Sequence, residues 1–436
     1  MTTPLQTVPA VRRKLSWPKR CLFGTLVAVI GSGLCELASL AAIRFLTTAP
    51  VSNFVGMRRE LLRNESVTIV SEVIHPYMGW VIDPSSNQEI TTSHGRIGVN
   101  DFGLLDNASP IHRRSPEKVI IGVIGGSVAM NVFAEGGPAV LQTLQNSDRF
   151  RGKTIQLVRL AMPGYKQPQQ LMLMTYLLTL GAEFDLLVNL DGYNEVALHE
   201  AENAKAKTTP SFPRAWHGRV SVTSDPRSAE TALTVMLIRR SRTSWARSLS
   251  WLPFQESALV NFVWWSVDRR YHGRIVELNS QLISTKLQSE SFAVTGPPSE
   301  FEDQAALHRH LVEYWANCSV ELNRLCESRG IEYHHVLPPN QYLEGSKPMG
   351  LSERKAAYYA EEDYEYSRSA QLCYPLLVER GKSLVQAGVR FHDITQLFAK
   401  FEAPLYGDIC CHYNEQGNVL VAEAVARIIA RTPESR

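Results

Sequence analysis

The sequence predicts an α/β fold: a three-layer α/β/α sandwich on a five-stranded parallel sheet, with an N-terminal transmembrane helix before it. Three observations carry this. Branched apolar runs alternate with helical patterns from about residue 118 onward. A separate, largely apolar stretch, Cys21 to Ile43, has Glu36 as its only charge. And 436 residues at 44% hydrophobic composition supply enough chain for one large domain and additions to it.

The strands are expected at Val119–Ile124, Ile155–Leu160, Leu186–Leu190, Ile331–Leu337 and Val389–Ile394. Each is a continuous apolar run, as expected of a parallel strand buried on both faces. Helical patterns cover Pro168–Leu180, Gln304–Arg329, Ser369–Ala387 and Glu415–Ala430. Strand–helix alternation implies right-handed crossovers and helices on both sides of the sheet.

At the N-terminus, Arg12, Arg13, Lys14, Lys19 and Arg20 precede the apolar stretch. A helix of that length covers roughly 35 Å, enough for a bilayer core. The basic residues hold the preceding tail in the cytoplasm and leave the rest of the chain periplasmic or otherwise extracytoplasmic. Ser39-Leu40-Ala41 resembles a signal-peptide cleavage site. The apolar stretch outruns a usual signal core, which favours an uncleaved anchor. Glu36, costly at membrane depth, points to a partner helix or to a place near the interface.

The formal net charge of +2 excludes nucleic-acid binding by global charge. The seven cysteines form no CxxC pair, so no structural zinc site is expected. One disulfide, Cys373 with Cys410 or Cys411, is allowed. Residues 47–116 read as a membrane-proximal stalk or cap, with His75 to Trp80 as a packed turn. Residues 200–300 interrupt the strand–helix rhythm as an insertion rich in Arg and Trp, Trp251 included. That mixture suits a membrane surface or an anionic or sugar ligand, or simply packed Trp and solvated Arg. The segment Tyr358 to Tyr366 suits a sugar site, with a solvated helix as the default reading.

The segment Val119 to Phe133 ends its strand at Gly125-Gly126-Ser127. This turn delivers a hydroxyl to the sheet's carboxyl edge, where open α/β sheets bind ligands. A dinucleotide loop needs G-x-G-x-x-G and an acid after the next strand, and a P-loop needs Gly-Lys-Ser/Thr. Neither pattern is present. A nucleophilic serine instead needs a base, an acid to orient it, and donors for an oxyanion. The second strand runs into Pro163-Gly164-Tyr165, and the third into Gly192-Tyr193-Asn194. Asp408 and His412 stand four residues apart before the last helix. The order of these weak signals is what discriminates.

In that order the chain resembles the SGNH hydrolases, the GDSL family of esterases and lipases, and most of all their membrane-anchored bacterial branch. The resemblance spans roughly residues 117–200 and 300–432. It implies Ser127 as nucleophile, His412 as general base and Asp408 as its orienting acid. The oxyanion hole would come from Ser127, Gly164 and Asn194. No cofactor or metal is implied. Two departures stand out: Gly126 replaces the family's usual Asp, and Asp408 lies four residues before the histidine instead of three. The implied organisation is a basic cytoplasmic tail (1–20), an anchor (21–46), the stalk (47–116) and a hydrolase-like domain (117–436).

The expected activity is extracytoplasmic hydrolysis of acyl esters, with an O-acetylated carbohydrate as substrate. Two alternatives use the same fold. One is an O-acetyltransferase acting on a cell-surface polysaccharide within a biosynthetic complex. The other is a non-catalytic assembly protein. Glu195 reads either as a substrate contact or as a first-turn acid favoured by the helix dipole.

Overall fold

The computed structural model describes residues 16–47, 50–64, 72–86, 88–250, 255–288, 290–359 and 364–432. Arg12, Arg13, Lys14 and Trp251 lie outside the described residues. The chain forms two compact units, Met1–Thr68 with Glu230–Leu282, and Ile69–Ala229 with Ile283–Arg436.

The second unit carries a parallel five-stranded sheet. Its strands are β1 (Lys118–Gly125), β2 (Thr154–Arg159), β3 (Leu186–Leu190), β4 (Glu332–Leu337) and β5 (Arg390–Asp393). Their order is β2-β1-β3-β4-β5, with registers such as Ile121 opposite Leu186 and Leu190 opposite Val336. The runs are continuous because both faces are covered. Val119, Ile121 and Val123 enter one core with Phe133, Val140 and Val425. Ile120 and Ile124 enter another with Leu173, Trp315 and Leu377. Each such side chain, fully buried, contributes about 1.5–3 kcal/mol.

The first core is closed by α1 (Ser127–Glu135), α2 (Gly137–Gln145) and α7 (Glu415–Arg431). The second is closed by α3 (Gln169–Thr179), α5 (Gln304–Glu327) and α6 (Glu365–Gln386). Between β3 and β4 the chain first forms the short helix α4 (Tyr193–Leu198). The strand order turns around between β1 and β3, which opens a crevice beyond their carboxyl ends.

The packed turn expected at His75–Trp80 is the bend of a hairpin pairing Glu72–His75 with Gly79–Ile82. Trp80 is buried, its ring 5.1 Å from that of Tyr165, whose hydroxyl donates to the Trp80 carbonyl at 2.5 Å. A second short hairpin pairs Ile90–Thr92 with Gly95–Ile97.

The first unit contains the helix Trp17–Thr47, long and apolar enough to cross a membrane. Glu36 has a partner within this unit: the start of the helix Ala258–Leu287. Its carboxylate accepts the amide protons of Ala258 (2.6 Å) and Leu259 (2.9 Å) and the Ser257 hydroxyl (2.8 Å). These amides are among the unpaired donors at a helix start, where an acid is favoured. Ile43, Phe54, Ala246, Ala258 and Trp264 form this unit's core, and Arg58 is buried there with bonds to Asn261 and the Gln255 carbonyl. The insertion's central helices pack against Ile43 and Phe54 within this unit.

Candidate active site

Ser127 is the first residue of α1, directly after β1, so its own amide is one of the donors a helix start leaves unpaired. Gly126 precedes it, and a Cβ there would stand 2.1 Å from Asn194 Nδ2. The carboxamide of Asn194 occupies that space and donates to the Tyr165 carbonyl at 2.8 Å. The absence of a side chain at position 126 thus lets the turn after β1 and the start of α4 touch.

The loop before α7 brings in the remaining groups. His412 Nε2 lies 2.7 Å from Ser127 Oγ, and His412 Nδ1 lies 2.5 Å from Asp408 Oδ2. The four-residue spacing has a local cause. Asp408 Oδ1 accepts the amide protons of Cys410 (2.9 Å), Cys411 (3.1 Å) and His412 (3.2 Å), wrapping the loop around one oxygen. Oδ2 is left to face the imidazole. Burial alone would raise the Asp408 pKa, but these hydrogen bonds and the imidazole lower it. Burial alone would lower that of His412, and Asp408 outweighs it, so the imidazole is more basic than usual.

Gly164 has φ +77° and faces Arg214: a Cβ at 164 would stand 2.1 Å from Arg214 Cδ. Its amide has no hydrogen-bond partner among the described residues. The structure therefore gathers Ser127, His412 and Asp408 into one hydrogen-bonded line. Asn194 reaches the same turn through Gly126, and Gly164 neighbours the Tyr165 carbonyl to which Asn194 donates.

Glu195 serves the frame. Its carboxylate accepts from the Gly192 amide (2.8 Å), the Gln167 amide (3.1 Å) and Gln170 Nε2 (3.2 Å), tying the Gly164 loop to α4. Burial first, and Asp191 second, push its pKa up to about 8. Sequence reasoning missed the buried polar set behind it. Asp191 accepts from His335 (2.7 Å), Trp315 (2.7 Å), Asn189 (2.8 Å) and Gln167 Nε2 (3.0 Å). Asp191 adjoins the Gly-Tyr-Asn block, which was the one available signal.

All the cysteines are free thiols, so the allowed disulfide between Cys373 and Cys410 or Cys411 is absent. Cys410 and Cys411 instead face each other at 3.3 Å. The hydrogen bond from Cys411 lowers the Cys410 pKa to about 7 against its burial. Ligand atoms of Cys410, Cys411 and His412 lie within 4.8 Å of one another, a set able to hold a soft cation. Such an ion would compete for His412.

No protein-family model matches this chain, and no curated protein matches it as a relative.

Proposed function

We propose that the protein is a serine ester hydrolase of the SGNH kind, built on a three-layer α/β/α sandwich. The observation that carries this is the Ser127–His412–Asp408 line, formed by groups 285 residues apart in the chain. The N-terminal helix is proposed as an uncleaved anchor with the hydrolytic unit on the extracytoplasmic side, and the substrate as an O-acylated carbohydrate.

In the proposed reaction Asp408 holds the His412 tautomer with its proton on Nδ1, leaving the Nε2 lone pair toward Ser127. Ser127 Oγ attacks the ester carbonyl and its proton passes to Nε2. The tetrahedral oxyanion is held by the amides of Ser127 and Gly164 and by the Asn194 carboxamide. Loss of one such donor costs about a hundred-fold or more in rate. Collapse breaks the bond to the alcohol, which leaves with the proton from Nε2. Water then attacks the acyl-enzyme, giving its proton to Nε2, and collapse returns that proton to Ser127 Oγ and frees the acid.

Turnover of p-nitrophenyl acetate by the whole chain in detergent micelles tests this. The wild type is expected to release p-nitrophenol, and Ser127→Ala to lose that activity. Undiminished release by Ser127→Ala removes Ser127 from the reaction. Transfer of the acetyl group to an added oligosaccharide, read by mass, would replace hydrolysis with acyl transfer.

A further inference from the structure

We propose that Tyr364, Tyr366 and the Glu202–Arg214 ion pair form a sugar-binding wall beside Ser127, so that the alcohol part of the ester is a pyranose glycan. This rests on the hydrolase reading above and adds the site that selects its substrate.

The wall joins two segments distant in sequence. Arg214 Nε and Nη2 each lie 2.9 Å from a different oxygen of Glu202, a two-pronged pair that fixes the guanidinium plane. Its third nitrogen, Nη1, has no hydrogen bond among the described residues and stands 2.7 Å from where a Gly164 Cβ would be. Two N–H donors therefore lie over the proposed oxyanion-hole glycine. The Arg214 side chain remains 37% exposed while Glu202 is only 10% exposed, so the acid anchors and the guanidinium is offered.

Holding Arg214 there carries a cost. Ala215 has φ +46°, a left-handed conformation that disfavours a Cβ. Strain of this kind persists where surrounding structure imposes it, and concentrates at ligand sites. Here Arg219 supports it by donating to the Arg214 carbonyl at 2.5 Å.

The aromatic half comes from the segment expected to be a solvated helix. Tyr364 and Tyr366 are half-buried, with ring centroids 5.3 Å apart. Tyr359 meets Tyr364 at 5.1 Å. The Tyr366 hydroxyl donates to Glu202 at 2.8 Å, linking the rings to the ion pair. The Tyr364 hydroxyl has its pKa raised, chiefly by burial, with Cys410 and Asp408 adding to it. One surface thus runs from Tyr359 and Tyr364 through Tyr366 and Glu202 to Arg214, which stands over Gly164.

The chemistry of this surface selects the ligand. Aromatic faces suit the C–H faces of a pyranose, and fixed guanidinium donors suit its ring and acyl oxygens. Because Arg214 is already neutralised by Glu202, the pair favours neutral hydroxyl and ester groups over a free anion.

The probes are glucose pentaacetate and p-nitrophenyl acetate, with the whole chain in detergent micelles. Tyr364→Ala and Arg214→Gln are each expected to lower kcat/KM for the sugar ester at least about tenfold more than for p-nitrophenyl acetate, the size of one lost charge-assisted hydrogen bond. The loss should fall mainly on KM, and Tyr364→Phe should restore it. In parallel, saturation-transfer NMR on Ser127→Ala should show contact with the sugar's ring protons, abolished by adding Tyr364→Ala. Equal losses on both esters, or no saturation transfer, overturn the wall. Saturation transfer without cleavage of either ester by the wild type overturns the hydrolase reading alone. Cleavage of p-nitrophenyl acetate without saturation transfer overturns the wall alone.

Discussion

The sheet-bearing unit contains two Ser–His–Asp lines with nearly equal hydrogen-bond lengths but opposite imidazole orientation, serine meeting Nε2 of His412 in one and Nδ1 of His335 in the other. In one, Ser127, His412 and Asp408 are joined at 2.7 and 2.5 Å. In the other, Ser319, His335 and Asp191 are joined at 2.7 and 2.7 Å. The first lies at the carboxyl edge, at the start of α1 and on the loop before α7, with 27% of His412 and 44% of Asp408 exposed. The second is sealed between β3, β4 and α5, its histidine wholly buried. The difference teaches that aligned hydrogen bonds do not make a reactive serine. A substrate must reach the hydroxyl, and donors must face the oxyanion. Ser319 has neither, and its line ties the start of the Gly-Tyr-Asn turn to α5.

Substitutions separate the two lines, and the largest effect belongs to the exposed one. Ser127→Ala should reduce ester turnover by about ten-thousand-fold or more, as for other triad nucleophiles. Ser319→Ala should leave turnover within about threefold and lower stability by about 1 kcal/mol, read by urea denaturation. Asp408→Asn keeps the shape but permits the wrong imidazole tautomer, and should cost about ten-thousand-fold in kcat.

The buried line answers in stability. Asp191→Ala strands His335, Trp315 and Asn189, and should cost about 3–5 kcal/mol in a denaturant titration. Burial works to raise the Asp191 pKa, but His335 and the other donors hold it below the usual 3.8. A depressed carboxyl contributes stability above its ordinary pKa that is lost as pH falls through the folded value. Wild-type stability should therefore decline below about pH 4, and this decline should be shallower in Asp191→Asn.

The smallest effect is a shift along the pH axis. His412 must be neutral to take the Ser127 proton, and Asp408 raises its pKa above the ordinary 6.5. Turnover, followed as kcat/KM, should rise with pH through a value higher than 6.5. In Asp408→Asn the residual activity should rise at lower pH, because the stabilising carboxylate is gone. An unchanged midpoint would contradict the role given to Asp408.

Much of the fold was legible because it rests on local signals. Five branched apolar runs mark five strands, and Gly125-Gly126 marks the turn that presents Ser127. Asp408 and His412 were legible as an acid and a base before the last helix, although the reason for their spacing, three amides around one Asp408 oxygen, is a matter of three-dimensional loop shape. What escaped the sequence depends on contact at long separation. The buried set around Asp191 joins β3, β4 and α5, and each member alone reads as an ordinary polar residue. Arg214 belongs to an arginine-rich stretch that gives no sign which member lies over Gly164. The hairpins at 72–97 escaped because their strands are short and partly polar. The first hairpin also draws support from a residue distant in the chain, Tyr165, whose ring meets Trp80 edge-on.

The most direct test of the central claim is covalent. Treatment of the whole chain with a fluorophosphonate, followed by peptide mass mapping, reads which serine is nucleophilic. The account predicts a single adduct on Ser127, lost in His412→Ala, with Ser319 unmodified. No adduct on Ser127 in the folded wild-type protein, or one that forms equally fast without His412, would contradict it.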